Sequence, residues 1–74
     1  MVVAVLGEPV RVDGYALAGA MVCPAESAQE ARIAWAALPD DVALVILTPM
    51  AAAALRDELG HSGVLTVVMP AFES

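Results

Sequence analysis

The sequence has no lysine. Its positive charge is Arg11, Arg32 and Arg56 against nine acidic residues, for a formal charge of −6. Phosphate backbones and acidic lipid surfaces are held by clustered Lys and Arg, so this balance argues against nucleic acid or a membrane surface as partner. Cysteine occurs once, at Cys23, which excludes an internal disulfide and suits a reducing compartment. Aromatic residues make up only 4%, leaving a core of Val, Leu, Ile and Met with a single Trp. No apolar run reaches the roughly 18 residues of a membrane span; the longest, Val42 to Leu55, is interrupted by Thr48-Pro49. Met1 to Leu6 has the apolarity of an export signal but no basic flank before it, and Glu8 and Arg11 follow too soon. The expectation is a soluble, cytoplasmic protein with no direct membrane insertion.

What is present is apolar, 61% of 74 residues. A chain of this length makes one domain, burying only about 60% of its unfolded surface. So much apolar side chain in so small a body predicts surface left over for a partner.

The chain is organised around Asp41-Val42-Ala43-Leu44-Val45-Ile46-Leu47-Thr48-Pro49. Six consecutive apolar residues, rich in β-branched types, suit a central strand of a parallel sheet. Thr48 is placed to cap a following helix and Pro49 to occupy its first position. Val2 to Leu6 predicts an earlier buried strand, with Gly7 at a sharp turn. Pro9 to Ala18 predicts a helix with Val10, Gly14, Leu17 and Ala18 on one face, closed by Gly19. Ala20 to Cys23 predicts a short edge strand ended by Pro24. Ser27 and Glu30 have capping-box spacing, ahead of a helix with Ala31, Trp35 and Leu38 inward. Ala51 or Ala52, Leu55 and Leu59 mark the buried side of the third helix, and Val64 to Met69 a last strand ending at Pro70.

Strictly alternating strands and helices with short loops predict an α/β fold: a small four-stranded parallel sheet of Rossmann- or flavodoxin-like order 2-1-3-4, with three helices in a single domain over residues 1–74. In that topology the first helix covers one face and the other two cover the opposite face. Part of the third and fourth strands then lies bare beside the first helix.

Chemistry is thinly marked. Gly7-Glu8-Pro9 stands where a nucleotide-binding loop would sit, but it lacks G-x-G-x-x-G and Pro9 removes a donor. A phosphoacceptor receiver domain would need an acidic pair, an aspartate after the third strand and a lysine after the last; Leu47-Thr48 and the missing lysine rule that out. Asp40-Asp41 reads as a solvated turn rather than a magnesium site. His61 and Cys23 lack the partners of a base–nucleophile pair. Arg32 and Arg56 read as solvated helix charges. No catalytic, cofactor or metal site is expected.

The segment Gly14-Tyr15-Ala16-Leu17-Ala18-Gly19, the strand led by Asp40-Asp41 and ending at Thr48, and the valine-rich strand Val64 to Pro70 together resemble the F-subunit family of the V/A-type ATPases and ATP synthases. The resemblance covers nearly the whole chain and rests on structural glycines and strand patterns in order. It implies a non-catalytic central-stalk (rotor) subunit that binds the coiled-coil D-subunit and modulates coupling of ATP turnover to ion transport. It implies a cytoplasmic position, peripheral to the membrane within that complex. Members of the family run on into a C-terminal tail helix; the expectation here is a domain lacking it, either because the segment is absent or because the sequence ending at Ser74 omits it. Candidate partner-binding residues are Leu17, Met21, Val67, Met69 and Phe72; the adjacent Val68 and Met69 cannot point the same way, so only one of them can face the partner. Two other readings remain open: a flavodoxin-like interaction module that homodimerises, or a small ligand-binding domain with a pocket at Glu8, Thr48 and Pro70.

Overall fold

The structure is a computed structural model, and residues 2–12, 19–60 and 63–70 are described. Four strands, β1 (Val2–Gly7), β2 (Met21–Pro24), β3 (Val42–Leu47) and β4 (Leu65–Val68), form one sheet in the order β2-β1-β3-β4. Every pairing is parallel. The connecting helices are α1 (Pro9–Val12), α2 (Ala28–Ala36), α3 (Pro49–Ala54) and α4 (Arg56–Leu59). The chain is therefore a small α/β domain of flavodoxin-like strand order.

Local sequence explains these elements closely. Ser27 Oγ accepts from Glu30 N at 3.1 Å and starts α2. The Glu30 carboxylate reaches one residue farther back than a capping box requires, accepting from Glu26 N at 2.9 Å. Thr48 caps α3 by accepting from Ala51 N, with Pro49 at the first helical position. The third predicted helix is two pieces, because Leu55 leaves helical geometry at φ −104°, ψ 13°. Hydrogen bonds into and out of Leu55, from its N–H to Ala51 O and from Leu59 N–H to its carbonyl, are both kept at 3.0 Å.

Alternation along the strands sorts side chains to two faces, and register aligns them across strands. Ala4, Leu6, Val45 and Leu47 point toward α2 and α3, forming with Ala31, Ala51 and Leu55 the main core. Alanine on both helices lets them lie close to the sheet. On the opposite face Val5, Val12 and Met69 form a second, small cluster beneath α1, with Ala20, Val22 and Ile46 at its edge.

The first helix differs from its expected orientation. Val10 is 92% exposed, and Val12 is the residue that enters the core. At about 100° per residue these two positions lie on opposite sides of a helix, so burying one exposes the other. Gly14, Leu17 and Ala18 lie outside the described residues. Gly19 adopts φ 87°, the left-handed conformation that glycine tolerates.

Candidate functional site

Two places at which the fold could act follow from its topology: the carboxyl ends of β1 and β3, and the sheet face beside α1. The first is the switch point of the strand order, where open α/β sheets hold ligands. Gly7 ends β1 there in register with Pro24. A Cβ on Gly7 would lie 2.7 Å from Thr48 Cβ and closer still to its branches. Close approach, rather than a sharp turn, is the requirement for glycine at this position. Thr48 is completely buried. Its hydroxyl donates to Glu8 Oε1 at 2.5 Å and accepts from Ala51 N at 3.4 Å.

Glu8 Oε2 lies 3.7 Å from Arg11 Nε. The Thr48 hydrogen bond holds the Glu8 carboxyl below its usual pKa; burial opposes this, while the residue's own backbone N–H and Arg11 add to the lowering. The nearby backbone groups are also engaged. Thr48 N donates to Leu6 O, Ala25 N to Gly7 O and Met69 N to Leu47 O. The crevice is thus plugged by the chain's own carboxylate, which would repel the phosphate of a nucleotide. Of the pocket expected from Glu8, Thr48 and Pro70, the first two are bonded to each other and Pro70 is exposed.

The second place is apolar. Register aligns Val3, Leu44 and Leu65 in one row across β1, β3 and β4, and Val5, Ile46 and Val67 in the next. The rows face the α1 side, as Val5 and Ile46 in the second cluster show. Burial falls steadily from β1 toward β4. Val5 is buried and Ile46 and Leu44 are half-buried, whereas Val67 is 49% exposed and Leu65 67% exposed. Among the described residues α1 packs on β1 and β2 and leaves this strip open.

The sequence candidates divide across the molecule. Val67 lies in the open strip. Met69 belongs to the same face but is buried against Val5 and Val12, so it serves this chain's own core instead of offering contact surface. Met21 pairs with Ala4 and therefore belongs to the opposite face. Leu17 and Phe72 lie outside the described residues, as does His61. The strip residues that the sequence alone does not single out are Val3, Leu44, Ile46 and Leu65. Counting back by twos from Val67 reaches Leu65, but identifying its neighbours requires the register.

Other candidate groups are dispersed. Cys23 is half-buried, and burial pushes its thiol pKa up, so it is a poor nucleophile at neutral pH. Asp40 and Asp41 form an exposed turn. Among the described residues no group of three or more His, Cys, Asp or Glu side chains could hold a metal ion. No described helix is long and apolar enough to cross a membrane. Comparison with known proteins finds no family model, curated protein or solved structure that matches the chain.

Proposed function

We propose that this chain acts by docking another polypeptide on the α1 side of its sheet, as a non-catalytic central-stalk subunit of a V/A-type rotary ATPase or ATP synthase binding the coiled-coil D-subunit. The observation that carries the docking role is the open strip Val3–Leu44–Leu65 with Ile46 and Val67. The choice of host complex rests on the resemblance of the glycine-bearing segment Gly14 to Gly19 and of the strand Val42 to Leu47. In this reading the chain sits in the cytoplasm, peripheral to the membrane, and influences how ATP turnover is coupled to ion transport.

Covering the half-buried Val3, Leu44 and Ile46 together with the exposed Leu65 and Val67 yields about 1 kcal/mol each on average, less than the roughly 1.5–3 kcal/mol of a fully exposed Val or Leu. The strip thus supplies several kcal/mol before ordering costs. Against the roughly 4–15 kcal/mol that association costs in lost freedom, the strip is one part of a larger interface, with few enough contacts that one charge within it would disrupt them.

Co-expression with the coiled-coil stalk protein followed by size-exclusion chromatography tests the proposal. The two proteins co-migrate, and Val67→Glu separates them while remaining folded by circular dichroism. Failure of the wild-type pair to co-migrate overturns the stalk assignment. Retention of the complex by folded Val67→Glu removes the strip from the interface. A second reading, homodimerisation, is favoured by edge strand β4, whose residues Leu65 to Val68 carry no charge to deter edge pairing. A concentration-dependent dimer by sedimentation, lost in Val67→Glu, would select it.

A further inference from the structure

On the opposite side of the sheet from the open strip lies a cleft of about 220 Å³ at the amino ends of β3 and β4, lined by Trp35, Leu38, Pro39, Asp40, Val42 and Val64. We propose that this cleft receives the arginine side chain of a partner protein, its guanidinium on the Trp35 ring and against the Asp40 carboxylate. This goes beyond the docking role above and is independent of it, because it uses another surface.

Three observations converge on a cation. Trp35 is the chain's one tryptophan; it packs against the main core while remaining half-buried and lining the cleft. An indole ring attracts a cation to its face, and a planar guanidinium can stack there while its N–H fork meets a carboxylate. Asp40 supplies that carboxylate at the exposed end of the lining, and none of the described cations pairs with it. Third, the cleft lies beside the carboxyl end of α2, whose last turn carries no basic residue. Its final carbonyls accept from Ala37 and Leu38 N–H, and no cationic side chain of that turn offsets the negative end of the helix dipole. Leu38, Val42 and Val64 offer apolar surface to the methylene stem that arginine buries behind its charge. A formal charge of −6 would further draw a basic segment toward the chain.

The single tryptophan provides the readout. The full chain is titrated with the peptide acetyl-Leu-Arg-Leu-amide while Trp35 emission is followed, and in parallel with the same peptide carrying neutral citrulline in place of arginine. The arginine peptide gives a saturable change in emission that weakens as salt is raised, and the citrulline peptide binds about tenfold more weakly. Asp40→Asn, an exposed turn substitution, weakens the arginine peptide by a similar factor. Asp57→Asn, on α4, leaves it unchanged. Equal binding of the two peptides, or no saturable change, overturns the proposal. Equal losses in Asp40→Asn and Asp57→Asn also overturn it, because they would reflect overall charge and not this cleft.

Discussion

Replacing Thr48 by valine keeps the shape of a completely buried side chain and deletes one hydroxyl with two roles. The hydroxyl caps α3 through Ala51 N, but at 3.4 Å; a bond this long belongs at the lower end of helix-cap values, about 0.5–1 kcal/mol. It also donates to Glu8 at 2.5 Å, a charge-assisted bond of a kind worth about 1.5–3 kcal/mol when well buried. The Glu8 side chain is 33% exposed, so water can replace part of that bond and about 1 kcal/mol is the appropriate share. Thr48→Val should therefore cost about 2 kcal/mol, which lowers the melting temperature of a domain this small by roughly 8–16 °C.

The loss has a pH signature. The folded carboxyl of Glu8 has its pKa lowered chiefly by Thr48. Its contribution to stability is full above the ordinary glutamate range and disappears as pH falls through the lowered folded value. The gap between wild type and Thr48→Val should accordingly narrow toward acid pH. Urea unfolding followed by circular dichroism between about pH 7 and pH 3 measures it, with Glu8→Gln closing a double-mutant cycle. A variant within about 0.5 kcal/mol of wild type at neutral pH, or a gap that does not change with pH, would refute the reasoning.

Further outcomes follow from single positions. Gly7→Ala drives a methyl into Thr48 and should cost about 3 kcal/mol; combined with Thr48→Ala the total should be less than the sum, as read by chemical denaturation. Leu55→Ala empties a completely buried site between α3 and the sheet and should cost about 3 kcal/mol in the same assay. The half-buried Cys23 thiol, its pKa raised by burial, should react with a disulfide reagent about tenfold more slowly than a free thiol at mildly alkaline pH, and at the free rate once unfolded in urea.

The parts of the fold legible in the sequence are those that local chemistry specifies alone. An unbroken run such as Val42 to Leu47 announces a strand whichever face is covered, and Thr48-Pro49 or Ser27 announces a helix start wherever that helix packs. Alternation of the elements then leaves few topologies, and the order β2-β1-β3-β4 is among them. What is not legible depends on choosing one side of an element. Val10 and Val12 are equally apolar, and only the path of the chain out of Gly7 puts Val12 on Val5. Met21 and Val67 look alike as strand residues, but register with Ala4 and Ile46 sends them to opposite faces. The role of Gly7 is hidden for the same reason, since Thr48 lies far from it in sequence. The Glu8–Thr48 bond spans a similar separation, and no local pattern announces it.

Whether the strip across β1, β3 and β4 is a contact surface is read most directly from the methyl resonances of Val3, Leu44, Ile46, Leu65 and Val67, recorded with and without the proposed coiled-coil partner. Ile33 on α2 and Met21 on the opposite face serve as references within the same spectrum. Docking on the strip concentrates the shifts there and leaves the references unmoved. Shifts confined to Ile33 and Met21, or a spectrum unchanged at saturating partner, would contradict it.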